Sequence, residues 1–124
     1  MTQAKDIMRP AGAVVPVEEL VGDALAKLRE SGGGPLVALD DDEVAGVVDP
    51  YLFGQLEHGK PEFSDEMIGN LISLTFRTCR PDDDVRMLEN TFERSGAAFI
   101  VVAEPGGKVH GLVSPADLPG MVRG

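Results

Sequence analysis

Two short segments share one layout but differ at the positions where chemistry could occur. Residues 46–53 read GVVDPYLF and residues 111–118 read GLVSPADL, each with a glycine, two aliphatic residues, a cap-type residue and a proline. Only the later segment has both Ser114 and Asp117. A hydroxyl at a helix N-terminus lies beside free backbone N–H groups and can contact an anion, while a carboxylate accepts hydrogen bonds from a vicinal diol. The pair is therefore a candidate ligand site.

The same residues also have a purely structural explanation. Ser114, Pro115 and Asp117 occupy the N-cap, N1 and N3 positions of a capping-box variant, which needs no ligand. In the earlier copy, residues 49–52 cap their helix without an acidic residue at N3, so folding alone does not require Asp117. The ligand interpretation and the cap interpretation both stay open.

Catalytic arrangements find little support. A serine nucleophile needs a histidine within hydrogen-bond reach, and His110 would lie about 13 Å from Ser114 along a strand. His58 falls in a predicted surface helix, and Cys79 beside Arg80 fits a half-buried core thiol better than a nucleophile. The sequence contains no P-loop, paired zinc spacing or nucleophile elbow. We expect no enzyme activity, no catalytic residues, no metal site and no required cofactor.

Composition narrows the class of protein further. The 124 residues are 43% hydrophobic, enough for one compact domain or for two half-sized units, and a single cysteine excludes an intramolecular disulfide framework. The net charge is −10 and Lys and Arg are not clustered, so nucleic acid and anionic membranes are not expected partners. The longest apolar run, residues 97–103, is far shorter than the ~20 residues of a membrane span. These features predict a soluble cytoplasmic protein.

The elements that must position Ser114 and Asp117 occur twice. Residues 16–32 and 81–96 each begin with proline and acidic residues, continue with helical apolar spacing and end at a glycine. The apolar faces comprise Leu20, Val21, Ala24, Leu25 and Leu28 in the first helix, and Val85, Leu88 and Phe92 in the second. Each pattern predicts an amphipathic helix.

A predicted β-hairpin follows each helix. The apolar runs 35–39 and 44–48 form the first hairpin, and the runs 98–103 and 109–113 form the second. The acidic segment 40–43 corresponds to the Pro-Gly-Gly-Lys turn of the second copy, so we interpret it as a solvated turn rather than a calcium loop.

Strands are predicted before each long helix, and short helices after each hairpin. The preceding strands are predicted over residues 13–15 and 72–78. The short helices begin at Pro50 and Pro115, and residues 65–71 are expected to form a helical turn or two.

This order of elements, with KDIM at residues 5–8 and Ser-x-x-Asp at the exit, resembles the cystathionine-beta-synthase-type (CBS) domain. Two copies in tandem resemble a Bateman module, with repeats at 1–60 and 71–124 and a linker at 61–70. The resemblance implies an α+β fold in which two strand-helix-strand-strand-helix units pack through their sheets. It also implies clefts that often bind adenosine-containing ligands, and association into homodimers.

Site residues follow from the resemblance. It matches Ser114 to a hydroxyl near the ligand's phosphate, Asp117 to a ribose-binding carboxylate and Thr78 to a base and ribose contact, with Leu112 and Val113 lining the cleft. In the first copy, Asp49 would repel a phosphate and Leu52 lacks the carboxylate, so we expect no phosphorylated nucleotide there. In the second, residues 97–98 lack the basic side chains that many nucleotide-binding members carry, which favours AMP, adenosine or S-adenosylmethionine over ATP.

The sequence thus predicts a stand-alone regulatory module that binds an adenosyl ligand in the second repeat. Because the chain ends soon after Leu118, we expect it to act in trans on a separate effector protein. The alternative is a ligand-free scaffold of the same fold that dimerises or binds other proteins.

Overall fold

The computed structural model describes residues 2–48 and 65–120, in which helices and strands alternate in two similar series. The predicted helix over 50–59, together with Asp49, Leu52 and His58, lies outside the described residues. The elements in chain order are α1 (Ala4–Ile7), β1 (Ala13–Pro16), α2 (Val21–Ser31), β2 (Leu36–Asp40), β3 (Glu43–Val48), a 3-10 helix (Ile68–Asn70), β4 (Phe76–Cys79), α3 (Val85–Ser95), β5 (Phe99–Glu104), β6 (Lys108–Val113) and a second 3-10 helix (Pro115–Asp117).

Two three-stranded sheets with the same topology confirm the α+β class and the duplication. Their strand orders are β1-β2-β3 and β4-β5-β6. In each sheet the first strand is parallel to the second, and the second and third form an antiparallel hairpin. Each hairpin contains one register shift, between Ala38 and Leu39 in the first and between Val102 and Ala103 in the second. Both predicted hairpins are therefore confirmed.

In space the chain divides into a first unit of residues 11–74 and a second unit of residues 1–10 with 75–124. The boundaries 1–60, 61–70 and 71–124 follow the sequence repeat and stay a prediction about that repeat. The spatial division differs because the segment that precedes each repeat in sequence forms hydrogen bonds with the other repeat. Consequently, residues 1–10 belong with the later strands and residues 65–74 with the earlier ones.

Matching backbone hydrogen bonds attach the two leading segments. In the second unit, the Ala4 N–H donates to the Asp83 carbonyl at 2.8 Å and the Lys5 N–H to the Pro81 carbonyl at 2.9 Å. In the first unit, Ile68 donates to Glu19 at 2.8 Å and Gly69 to Val17 at 2.9 Å. The segment around KDIM is thus the structural equivalent of the segment around Ile68, a correspondence that the sequence analysis did not find.

Each unit has its own hydrophobic core beneath its helix. The buried cluster of the first unit contains Val15, Val21, Ala24, Leu28, Leu36, Ala38, Val48 and Ile68. That of the second unit contains Ala4, Leu88, Phe92, Ala97, Ile100, Val102, Val113 and Leu118. Helix positions spaced three or four residues apart point into these clusters, as the apolar periodicity predicts.

The long helices begin later than the sequence predicted. They were expected from Pro16 and Pro81, but α2 begins at Val21 and α3 at Val85. The start of α3 is set by Asp84, whose carboxylate accepts a hydrogen bond from the Arg86 N–H at 2.8 Å. Asp84 is therefore the N-cap, and the helix begins at the next residue. Both helices end as predicted, on left-handed glycines with φ of 92° and 67°.

The strand predicted over residues 72–78 is shorter and begins at Phe76. Ile72 packs against the first core, Ser73 exchanges backbone hydrogen bonds with Val47, and the side chain of Leu74 is 72% exposed. The alternation of apolar residues in this segment therefore spans the boundary between the two units, and it does not mark one continuous strand.

The acidic segment 40–43 is a tight turn, as predicted. Asp41 and Asp42 have φ of 52° and 66°, and Gly106 and Gly107 occupy the corresponding left-handed positions in the other hairpin. Positive φ at both central residues is typical of type I′ hairpin turns, for which aspartate and glycine are favoured. Among the described helices, none is both long enough and apolar enough to cross a membrane.

Candidate functional site

Ser114 and Asp117 form a capping box where the chain leaves β6. The Ser114 N–H donates to Asp117 Oδ2 at 2.9 Å, and the Ser114 hydroxyl donates to the same oxygen at 3.1 Å. In return, the side chain of Ser114 accepts from the Asp117 N–H, with Pro115 following at the start of the 3-10 helix. The capping role expected from these residue types is therefore present in the structure.

Arg9 is a further member of this site that sequence analysis missed. Its Nε donates to Asp117 Oδ1 at 2.7 Å, so both carboxylate oxygens have partners. The side chain of Asp117 is 6% exposed, whereas that of Arg9 is 77% exposed. The carboxylate of Asp117 is thus enclosed, while the guanidinium of its ion-pair partner Arg9 is exposed. In the sequence, Arg9 is recognisable only as a basic residue directly after the KDIM motif, because its partner Asp117 lies near the other end of the chain.

The backbone places Arg9 beside β6. The Arg9 N–H donates to the Leu112 carbonyl at 2.9 Å, and the Leu112 N–H donates to the Arg9 carbonyl at 2.8 Å. Gly111 makes this approach possible, because a Cβ there would lie 2.6 Å from the Arg9 carbonyl oxygen. The glycine of the repeated motif therefore has a packing role.

The pKa of Asp117 lies below its ordinary value. Burial opposes ionisation, but hydrogen bonds from the Ser114 backbone, from Arg9 and from the Ser114 hydroxyl, together with the charge of Arg9, outweigh it. The carboxylate is consequently ionised at neutral pH. It can accept a hydrogen bond from a ligand, provided that one of its oxygens is reached.

Thr78 and Leu112 lie on one row across the second sheet. Both pair with Val101, Thr78 from the parallel strand β4 and Leu112 from the antiparallel strand β6. Thr78 is exposed and Leu112 is buried. Because paired residues project from the same sheet face, the structure brings these two predicted residues onto one surface.

Val113 occupies the opposite face of the same sheet. It pairs with Ile100 and belongs to the hydrophobic cluster of the second unit, with no exposed surface. Successive strand residues alternate between faces, so the side chains of Leu112 and Val113 do not lie together. Of the predicted ligand residues, Val113 is the one whose side chain is buried in the hydrophobic core of the second unit.

The other two candidate reactive side chains, His110 and Cys79, both have structural roles. His110 Nε2 lies 2.5 Å from Glu104 Oε2, the partner that holds its ring. Burial, reinforced by the nearby charge of Asp83, raises the pKa of Cys79 to about 12. A thiol of such high pKa is a poor nucleophile, and Cys79 packs against the second core as expected.

Solved structures share this fold at low sequence identity. No protein-family model matches the sequence, and the search of curated proteins gives no match. MJ1004 of Methanocaldococcus jannaschii is 23% identical, with a TM-score of 0.70 over 94% of this chain and 57% of its own, so this chain spans little more than half of MJ1004.

Two further structures carry ligands in CBS modules. The CBS domain of a bacterial CNNM/CorC family Mg2+ transporter, solved in complex with ATP, is 20% identical with a TM-score of 0.69, covering 97% of this chain and 86% of that one. The CBS domain pair of MJ0100, solved with 5′-methylthioadenosine and S-adenosyl-L-methionine, is 15% identical with a TM-score of 0.68, covering 98% and 95%. The chain therefore has the fold of a tandem CBS domain pair.

Proposed function

We propose that this chain is a regulatory CBS-pair module that binds an adenosyl ligand in its second repeat and acts on a separate partner protein. The fold supports the module, and the two ligand-bound neighbours show that this fold accommodates ATP, methylthioadenosine and S-adenosylmethionine in other proteins. The predicted ligand residues are Thr78, Leu112, Val113, Ser114 and Asp117, of which Val113 acts by supporting the sheet beneath its neighbour.

The observation that carries the proposal is a row with polar ends and an apolar middle. Thr78, Val101, Leu112 and Arg9 pair in succession across the second unit. Neighbouring strands are about 4.8 Å apart, so the row spans roughly 14 Å, which suits a nucleoside lying across it. The exposed hydroxyl of Thr78 stands at one end, and Arg9 with the ionised Asp117 at the other.

Binding at Asp117 requires a change in its present contacts. A ribose diol that donates to Oδ1 would share that oxygen with Arg9 or displace the guanidinium. Displacement costs little, because an ion pair with an arginine that is 77% exposed contributes at most about 1 kcal/mol. Once released, the guanidinium remains near the ligand and can pair with a single phosphate. This geometry suits AMP, and it also admits adenosine or S-adenosylmethionine.

The ligand would act by shifting a conformational equilibrium. Ligand binding would order Arg9 and the second 3-10 helix (Pro115–Asp117), and so favour the conformation that binds a partner or a second copy. The coupling is reciprocal, so partner binding would raise the affinity for the ligand by the same factor. A homodimer is the expected assembly for a module of this fold.

A scaffold without ligand is the second candidate function, and one observation favours it. Both oxygens of Asp117 already have partners, and its side chain is almost completely enclosed. Such a carboxylate is fully explained by its cap and ion pair. In this case Ser114 and Asp117 stabilise the fold, and the chain serves to bind proteins.

Thermal unfolding with AMP, ADP, ATP, adenosine and S-adenosylmethionine at millimolar concentration separates the two candidates. A ligand at ~100 times its dissociation constant adds about 2.7 kcal/mol to the free energy of unfolding. We expect this gain for at least one ligand in wild type and in the control Glu93→Gln, an exposed carboxylate on α3, and its loss in Thr78→Val and Asp117→Ala. A panel that leaves the wild type unchanged would refute adenosyl binding and leave the scaffold.

A further inference from the structure

A cavity lies at the end of the second unit's sheet that is farther from Ser114 and Asp117. Its volume is about 340 Å³, and its walls come from α1, from the loop after β4 and from the turn after β5. The lining residues are Lys5, Arg80, Pro81, Asp82, Glu104 and Pro105. The volume is at the small end of the range for ligand-binding pockets, which suits a small metabolite rather than a nucleotide.

Charges of both signs face this cavity without neutralising one another. Among the described residues, neither Lys5 nor Arg80 forms an ion pair with Asp82 or Glu104, although all four residues line the same cavity. Glu104 uses one oxygen, Oε2, to hold His110, and its Oε1 stays available. Opposite charges that line one cavity without pairing provide two poles for a ligand that carries both charges.

The wall is held in place by the backbone rather than by these side chains. The Lys5 N–H donates to the Pro81 carbonyl at 2.9 Å, and the Arg80 N–H donates to Asp83 Oδ2 at 2.9 Å. The ammonium of Lys5 and the guanidinium of Arg80 are therefore not needed to hold α1 against the loop after β4. Their presence calls for another explanation.

The first unit makes the same backbone contact with uncharged residues at the positions equivalent to Lys5 and Arg80. There the Gly69 N–H donates to the Val17 carbonyl at 2.9 Å, the hydrogen bond that matches the one from Lys5 to Pro81. Gly69 is therefore the structural equivalent of Lys5, and Pro16 is the equivalent of Arg80. Since the fold is the same in both units, folding requires neither basic residue. At these two equivalent positions, only the second unit has basic residues.

The chemistry of the four side chains selects the ligand class. A phosphorylated ligand would bring negative charge toward Asp82 and Glu104, and a metal ion would bring positive charge toward Lys5 and Arg80. A small zwitterion satisfies both sides. The rings of Pro81 and Pro105 add apolar surface for its carbon skeleton.

We propose that this cavity binds a free α-amino acid. Lys5 and Arg80 contact its carboxylate, and Asp82 and Glu104 Oε1 contact its ammonium group. The proposal does not rest on the adenosyl site, and either site can exist without the other. Occupancy would tie α1 to the hairpin turn after β5, two elements that a regulatory ligand could hold together.

Isothermal titration of the full chain with each standard amino acid at millimolar concentration tests the proposal. Each of these variants removes a charge-assisted hydrogen bond, so Lys5→Gln, Arg80→Gln and Asp82→Asn should each weaken binding by about tenfold or more. Arg94→Gln is the matched control, because this exposed arginine on α3 does not line the cavity.

Derivatives of the amino acid that binds complete the test. The N-acetyl derivative and the amide derivative each lack one pole, and both should bind at least about tenfold more weakly. The Asp117→Ala variant should retain amino-acid binding, which separates this cavity from the adenosyl site. The proposal is wrong if no amino acid binds, if the three cavity variants bind like wild type, or if either derivative binds equally well.

Discussion

Replacement of Asp117 by alanine removes three hydrogen bonds at once and should lower stability even without ligand. The bond from the Ser114 N–H to an ionised oxygen accounts for about 1.5 kcal/mol, and the bond from the Ser114 hydroxyl for roughly 0.5–1 kcal/mol. The bond to Arg9 adds about 0.5 kcal/mol, since that side chain is 77% exposed and screened by solvent. We therefore expect Asp117→Ala to lower the free energy of unfolding, measured in urea at neutral pH, by roughly 2.5–3 kcal/mol.

The pH dependence of this loss identifies its origin. Because the folded pKa of Asp117 is lower than its ordinary 3.8, the carboxylate stabilises the folded state fully above that value. This contribution disappears as the pH falls through the folded pKa. The difference between wild type and Asp117→Ala should accordingly be constant from neutral pH to about pH 5 and shrink below 3.8.

Arg9→Ala is the matched control for the ion pair. It removes one partner of Asp117 and leaves the capping box, so we expect a loss of only about 0.5 kcal/mol. A double-mutant cycle with Asp117→Ala should give a coupling energy of the same size. The reasoning is refuted if Asp117→Ala unfolds within about 0.5 kcal/mol of wild type, or if Arg9→Ala is as costly as Asp117→Ala.

Three further predictions concern single residues elsewhere in the chain. Asp42→Gly should raise the free energy of unfolding by about 0.5–1 kcal/mol in urea, because its φ of 66° is costly for a residue with a Cβ; an unchanged or lower value would contradict the turn assignment. Gly46→Ala should lower it by about 1–3 kcal/mol, because the new Cβ would lie 2.7 Å from Cβ of Ile72; wild-type stability would show that the segment yields. Cys79, with its pKa raised to about 12, should react with iodoacetamide at pH 8 far more slowly in folded than in urea-unfolded protein, and equal rates would show that burial does not protect it.

Local patterns were sufficient to predict most of the fold. The glycine stops at residues 32 and 96, the paired hairpins and the acidic turn all depend on signals within a few residues of one another. Helix starts were less accurate, because Asp82, Asp83 and Asp84 all look like first-turn residues and only the hydrogen bond to Arg86 shows which one caps the helix.

Long-range relations could not be predicted from those patterns. Residues 1–10 join the second unit through backbone hydrogen bonds to Asp83 and Pro81, and no side-chain periodicity records such bonds. The strand predicted through Ile72 and Leu74 was wrong for the same reason, since the chain changes unit within that pattern.

The candidate site was partly predictable. The spacing of Ser114 and Asp117 indicated both the capping box and the possible ligand contact, and register places Thr78 and Leu112 on one row. Arg9 was missed because its partner is remote in sequence and the contact depends on the bridge to β6.

The most direct test of the central claim is a titration of the isotope-labelled protein with AMP, followed by the backbone and methyl NMR signals of the second unit. We predict saturable shifts at Thr78, Leu112, Ser114 and Asp117, with the side chain of Arg9 changing as its bond to Asp117 is shared or broken. Spectra in which these signals stay fixed at millimolar AMP, adenosine and S-adenosylmethionine would contradict the account and leave this surface as a structural cap.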